Sequence, residues 1–333
     1  MLASRYELLD KIGNGAFGEV HRAKDLQSGE IRAVKRLRMN DDGQLAVVPA
    51  AQFQEIEAMR QLHHPNIVKL LDVVPDGSYI ALVLEYMPTD LISVVRNREQ
   101  PLHPADARGL MRMLLQGVAC CHEHSILHRD IKPGNLLLSA EGVLKLSDFG
   151  LATVFMGQER SYSHQVATRW YRAPELLFGT RHYDTAVDMW SVGAVFAELL
   201  RPTPLFAGQN DLDQIFRVIQ VLGDVEKQWS GVRELPDFNK VCFPSYEPMP
   251  FSKLFPDAEP TAVDLLAKLL VLDPSKRLSA RQALMHDFFF DGPAHLVFFF
   301  DGKGIDEKSQ QTGNDNILES NVLASLGKPL RLT

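Results

Sequence analysis

Two short segments hold most of the reactive groups in this chain. His128-Arg129-Asp130-Ile131-Lys132-Pro133-Gly134-Asn135 is followed, after a strand-like run, by Asp148-Phe149-Gly150. They place two carboxylates, a carboxamide and a lysine around the apolar stretches Leu136–Leu138 and Val143–Leu146. Those stretches read as hairpin strands joined by a turn at Glu141-Gly142, which would bring Asn135 close to Asp148. Two oxygen ligands on neighbouring strand ends suit a magnesium ion, which takes few protein ligands and keeps its other positions for water and phosphate. Asp130 would then sit beside the metal as a base. Either triplet alone reads as an ordinary solvated turn, because short motifs recur by chance. Both in order, with Asn135 between them, make chance a poor account.

Such groups need a frame. Tyr6 to Ile12 and Glu19 to Lys24 read as strands flanking Gly13-Asn14-Gly15-Ala16-Phe17-Gly18. A lone G-x-G-x-x-G is weak evidence, since dinucleotide-binding loops share it. That loop opens a helix, whereas here Val20 and then Ile31-Arg32-Ala33-Val34-Lys35 continue as strands. A nicotinamide enzyme is thereby disfavoured. A glycine-rich hairpin can lie over phosphates because no side chain obstructs its backbone. Lys35 shares a strand face with Ile31 and Ala33. An ammonium there either reaches out to water or has fixed anionic partners. Glu55 is an available partner on the helical run Pro49 to Leu62, whose apolar face carries Phe53, Ile56 and Met59.

The 333 residues are enough for one large or two ordinary domains, with 45% hydrophobic and 23% charged residues. A formal charge of −7 argues against general affinity for nucleic acid, which needs clustered Lys and Arg. Cys120, Cys121 and Cys242 show no C-x-x-C spacing and read as free thiols. The N-terminus lacks the apolar core of a signal peptide, and no apolar run reaches the roughly 18 residues that span a bilayer. A nuclear or cytoplasmic protein is the expectation, with no membrane partner.

Further along, Ile67 to Val74 and Tyr79 to Leu84 read as strands, and Glu85-Tyr86-Met87-Pro88 breaks the pattern. Asp90 suits a helix N-cap. Beyond it helices dominate: Leu110, Met113, Leu114, Gly117, Val118 and Cys121 form one stripe. His63, His64, His122 and His124 read as turn or cap residues, since no matching spacing supports a metal. Val187 to Leu200 is apolar on nearly every face, so Asp188 would be a buried acid in need of donors.

From residue 4 to 290 the motifs, in this order, resemble those of eukaryotic protein kinases. The resemblance implies an α+β, bilobal fold: an N-lobe at 1–84 with a small antiparallel sheet and one main helix, a hinge at 85–88, and a larger, mostly helical C-lobe at 89–290. A partly disordered tail would follow at 291–333. It implies ATP and Mg2+ as cofactors, with Lys35 paired to Glu55 and orienting the α- and β-phosphates, and Asn135 and Asp148 holding the metal. Asp130 would steer the substrate hydroxyl and accept its proton, and Lys132 would stand near the γ-phosphate. Ile12, Val20, Ala33 and Leu137 would sandwich the purine under the loop Gly13 to Gly18. Backbone groups of Glu85 and Met87 would face adenine, Leu84 would guard the back pocket, and Asp90 would also reach the ribose. The kinase counterpart of Asp188 holds the catalytic-loop backbone, and that of Arg277 pairs with Glu175.

Within the kinases, the runs Val48 to Ile56 and Val166-Ala167-Thr168-Arg169-Trp170-Tyr171-Arg172-Ala173-Pro174-Glu175 resemble the cyclin-dependent branch, and the Pro- and Phe-rich segment from Glu234 to Asp257 resembles the insert shared by cyclin-dependent and mitogen-activated kinases. That branch implies Ser/Thr-Pro protein substrates, with Arg172 shaping the proline pocket, a cyclin or cyclin-like activator, and a role in cell-cycle or cilium control. Ala16 and Phe17 replace the phosphorylatable Thr-Tyr of cell-cycle members, so inhibition there is expected to be absent. Ser163 takes the position of the activating phosphothreonine, yet of three phosphate-binding arginines only Arg129 remains; Gln54 and Thr153 stand in the other places. Phosphate on Ser163 is expected to activate weakly. The sequence Phe-Phe-Phe-Asp-Gly occurs at 288–292 and again at 298–302, and Leu318, Val322 and Leu326 are spaced for one helix face. The rival reading is a pseudokinase-like scaffold acting through its fold and Phe-rich tail.

Overall fold

Alternating side chains build the first layer. In the computed structural model β1 (Tyr6–Gly15), β2 (Gly18–Asp25), β3 (Ile31–Arg38), β4 (Leu70–Asp76) and β5 (Tyr79–Glu85) form one antiparallel sheet, ordered β1-β2-β3-β5-β4, with α1 (Ala50–Gln61) between β3 and β4 in the chain. The structure describes residues 2–15, 18–39, 50–96, 102–157 and 159–292, all within one compact unit. Ala16, Phe17, Pro49, the second Phe-Phe-Phe-Asp-Gly copy and the helix expected at 318–326 lie outside them. One sheet face, with Ala23, Val34, Ala81 and Val83, is buried beneath Tyr6 and Leu2. The other face carries Lys35, and the register sets Val20 and Leu82 opposite Lys35 and Leu84 opposite Ala33. A Cβ on Gly18 would collide with the Arg36 carbonyl of β3, so that glycine is required by strand packing as well as by any ligand.

The expected strand from Ile67 starts later, at Leu70, and this is a correction with a tertiary cause. Asn66 to Val68 pair instead with the second hairpin: the Leu146 N–H donates to Asn66 O and the Val68 N–H to Leu146 O, both at 2.9 Å.

The second layer holds β6 (Thr89–Asp90), α2 (Leu91–Arg96), α3 (Pro104–Glu123), β7 (Ile126–Leu127), β8 (Leu136–Leu138), β9 (Leu144–Leu146) and β10 (Thr153–Val154). The helices α4 (Pro174–Leu177), α5 (Ala186–Leu200), α6 (Asp211–Leu222), α7 (Val225–Gln228), α8 (Phe251–Leu254), α9 (Pro260–Leu269) and α10 (Ala280–Leu284) follow. α3 begins at a proline, with His103 Nδ1 accepting the Ala105 N–H, and buries Leu110, Leu114, Val118 and Cys121. Residues Ala186 to Leu199 of α5 are buried on all sides, as their unbroken apolar character requires. None of the helices in the described residues is long and apolar enough to cross a membrane.

Three arginines hold parts of the second layer together. Arg277 makes a bidentate pair with Glu175 at 2.6 and 2.7 Å, with side chains 0% and 4% exposed. Removing one partner of a buried pair leaves the other charge uncompensated, so Arg277→Met is expected to lose about 3–5 kcal/mol of stability. The double variant with Glu175→Met should recover much of it; denaturant midpoints of the two decide. Arg108 and Arg112 account for the first Phe-rich copy. Their side chains donate to the carbonyls of Phe288 and Phe289 and lie over those rings at 5.2 and 5.5 Å, while Phe290 is left exposed.

Candidate active site

α5 supplies the anchor. Asp188 Oδ2 accepts the His128 N–H at 3.0 Å and Oδ1 the Arg129 N–H at 2.8 Å, so a fully buried carboxylate grips the loop after β7. Burial alone would raise this carboxyl, but the His122 hydrogen bond and charge, together with the Arg129 N–H, hold it below its ordinary value. As an ionised acceptor 2.9 Å from His122 Nε2, it makes that nitrogen the donor. His122 is therefore a support of the loop rather than the turn or cap residue expected from sequence; His124 is the C-cap of α3. His128 is the Nε2–H tautomer, because its Nδ1 accepts the Asp130 N–H while Nε2 donates to Ser147 O.

Asp130 is the convergence point. Its Oδ1 accepts the Thr168 N–H at 2.9 Å and hydroxyl at 3.0 Å, and its Oδ2 lies 2.9 Å from both Asn135 Nδ2 and Lys132 Nζ. Lys132 also donates to Thr168 Oγ1 at 2.8 Å. Asn135 Nδ2 donates a second time, to Asp130 O, which uses both amide hydrogens and leaves Oδ1 as the outward acceptor. The Ser147 N–H and hydroxyl both donate to Asn135 O, so the β8–β9 hairpin sets Asn135 beside the residue preceding Asp148. A carboxamide oxygen and a carboxylate brought together in this way are hard ligands that fit a small divalent cation retaining water and phosphate in its other positions.

The other Asp148 contact reaches across to the sheet. Lys35 Nζ lies 2.6 Å from Glu55 Oε1 and 2.7 Å from Asp148 Oδ1, joining β3, α1 and the second layer. Burial works to lower the Lys35 ammonium, and the two carboxylates outweigh it, holding it above its usual value. Burial pushes the Glu55 carboxyl up by more than Lys35 draws it down. Burial also opposes ionisation of Asp148, yet the Lys35 charge and hydrogen bond keep it below the ordinary range. Arg129, Asp148 and Ala167 are non-glycine residues with φ of 63, 60 and 64°, a conformation that costs on the order of 1–3 kcal/mol each. Among the described residues one further non-glycine position, Ser125 ahead of β7, has a positive φ, at 55°.

Ala33 is buried, Val20, Leu84 and Leu137 are half-buried, and Ile12 remains 37% exposed, so the apolar residues expected around the purine are only partly covered. Gly13 and Gly15 face Val20 and Gly18 in the β1–β2 register, with Asn14 opposite Glu19. At the sheet's exit the Glu85 carboxylate accepts the Lys69 N–H at 2.7 Å and Lys145 Nζ at 2.8 Å, and Met87 is buried. Asp90 Oδ1 accepts the Ser93 N–H at 2.7 Å, the capping bond expected of it. Arg172 donates from Nε to Val166 O at 2.8 Å and from Nη2 to Ala167 O at 2.9 Å. Ser163 is exposed. A separate cavity of about 500 Å³ beside Ile219, Phe238, Cys242 and Phe243 includes none of these groups.

The arrangement can hold a polyphosphate and its cation against one aspartate. The protein kinase domain model matches residues 6–289. Cyclin-dependent kinase 20 of Danio rerio is 49% identical over 294 residues, 87% of this chain and 84% of the relative. The Homo sapiens protein of that name is 46% identical over the same shares. Cell division control protein 2 homolog 3 of Trypanosoma brucei brucei is 41% identical over 292 residues, 86% of this chain and 92% of the relative. With the lysine, the glutamate and both aspartates assembled around one cleft and these relatives on either side, the chain belongs to the protein kinase family, in its cyclin-dependent kinase branch.

Proposed function

We propose a proline-directed Ser/Thr kinase that uses MgATP. In this reading Asp130 orients the substrate hydroxyl and takes its proton, Lys132 stands at the γ-phosphate, and Lys35, kept in place by Glu55, orients the α- and β-phosphates. Asn135 and Asp148 hold Mg2+, which when bound neutralises phosphate charge. Ile12, Val20, Ala33 and Leu137 enclose adenine, with Leu84 at the back. The main chain of Glu85 and Met87 meets its edge, Asp90 the ribose, and the Gly13 to Gly18 loop the phosphates.

The observation that carries proline direction is the Arg172 fork. It engages the Ala167 carbonyl at a residue whose φ is 64°; turned to the guanidinium, that oxygen is not offered to the N–H of a substrate residue following the phosphoacceptor. Proline has no N–H to leave unpaired. A stranded N–H costs about 1–3 kcal/mol, so kcat/KM for a Ser-Pro peptide is expected to exceed that for its Ser-Ala twin by roughly 5- to 150-fold. Equal values for the two peptides would remove proline direction while leaving kinase activity standing.

A cyclin-like activator is the proposed partner. α1 exposes Phe53 at 55% and packs beside β10, where Val154 and Met156 are 44% and 65% exposed. Exposed apolar side chains on two neighbouring elements and just beyond β10 suit a protein surface. We place the action on nuclear or cytoplasmic proteins, in cell-cycle or ciliary control.

A further inference from the structure

Arg129 already has partners without any phosphate. Its Nε donates to Leu151 O at 2.8 Å and its Nη1 to the Tyr183 hydroxyl at 3.0 Å. The same hydroxyl donates to Ser163 O at 2.6 Å. One phenol thus accepts from the catalytic loop and donates to the main chain of the segment that follows Asp148-Phe149-Gly150. Phenylalanine would remove the shared partner of a guanidinium hydrogen and a carbonyl.

The surroundings make this bridge stiff. Tyr183 is 3% exposed and packs at 5.3 Å against Tyr162, itself 6% exposed and stacked on Phe155 at 6.2 Å. The Tyr162 hydroxyl accepts the Met156 N–H at 2.8 Å and donates to Gly157 O at 3.2 Å. The Tyr162 N–H donates to Arg181 O at 2.7 Å, and the Phe155 N–H to Ser125 O at 2.6 Å. The Ser163 side chain is exposed, while its main-chain carbonyl is what the Tyr183 hydroxyl grips. Downstream of that grip come Val166 and Ala167, whose carbonyls Arg172 engages, and Thr168, which bonds Asp130. Slack at Ser163 would pass directly to the groups that seat the substrate.

We propose that Tyr183 is a positioning residue whose hydroxyl ties Arg129 to the Ser163 main chain, holding residues 161–168 in substrate-binding shape with no phosphate on Ser163. This rests on the Ser/Thr kinase reading and adds its regulation: two tyrosines, with the one guanidinium of Arg129, do by packing and hydrogen bonding what a phosphate and three arginines would do by charge.

The test uses full-length protein treated with phosphatase, any cyclin-like activator present at a fixed level, and a synthetic Ser-Pro peptide. Ser163→Ala is expected to stay within about threefold of wild-type kcat/KM, whereas Tyr183→Phe should fall at least about tenfold, because small misplacements of a substrate seat are costly. ATP affinity should be unchanged in Tyr183→Phe, since Lys35 and the sheet are untouched, which separates the effect from general unfolding. Amide hydrogen exchange of 161–168 in dephosphorylated wild type gives a reading that needs no variant: protection supports the bridge, and exchange at the rate of an open chain overturns it. Wild-type turnover in Tyr183→Phe, or a loss beyond about a hundredfold in Ser163→Ala, also overturns it. Absence of transfer to any peptide by wild type would instead strike the kinase reading, leaving the exchange data to judge the bridge.

Discussion

Asp130→Asn is expected to lower kcat by about 10²–10⁴, the usual contribution of a positioned base, while ATP binds within about twofold of wild type. Asparagine keeps the shape but offers one acceptor where the carboxylate offers two. Oδ1 now receives two bonds from Thr168, and Oδ2 faces the Asn135 amide and the Lys132 ammonium. Either orientation of the new amide turns an NH2 toward donors, so the defect combines loss of the base with a loosened Thr168. ATP affinity should survive because the sheet, Lys35 and the apolar cleft make no use of Asp130. Single-turnover transfer together with direct nucleotide titration would check both halves. A variant retaining a tenth of wild-type turnover would mean that Asp130 is not the base, and an unchanged cellular role for the inactive variant would revive the scaffold reading.

Lys35→Met is expected to lower kcat/KM by about 10²–10³, the scale for removing one preorganised electrostatic group. Its effect on stability is less obvious. Stripping one partner from a buried pair costs about 3–5 kcal/mol when the remaining charge must stay ionised. Glu55 need not, because burial already pushes its carboxyl up, and without the ammonium it rises further. A carboxyl whose folded value lies above its unfolded one contributes stability that is fully present below the unfolded value and lost as pH rises through the folded one. The melting temperature of the variant should therefore fall, relative to wild type, as pH rises from the ordinary glutamate range toward neutral. Parallel curves for the two proteins would show that Glu55 stays charged and finds another donor.

The reactive constellation was readable because it is local. The two motifs frame a single hairpin, and strand alternation is enough to put Lys35 and Ala33 on one face, with Val34 on the other. Glu55 followed from helical spacing and one family resemblance. Helix α5 announced its burial by having no polar face, and Asp188 its need for donors. By contrast, spacing gave no sign that His122 would be one of those donors, that Glu85 would hold Lys145, or that Tyr183 would bridge Arg129 and Ser163. The strand expected from Ile67 was lost to the hairpin, whose backbone competed for the same hydrogen bonds.

Motif order, through the family resemblance it carries, sufficed for the fold class, and strand alternation for the face that Lys35 shares with Ala33, since alternation is chain-local geometry that covalent structure enforces. Pairings such as His122 with Asp188, Arg108 with the Phe288 carbonyl and Tyr183 with Ser163 join residues 66, 180 and 20 positions apart. No local preference selects such partners. They are chosen only when packing removes water from a polar group and leaves one neighbour within reach to replace it.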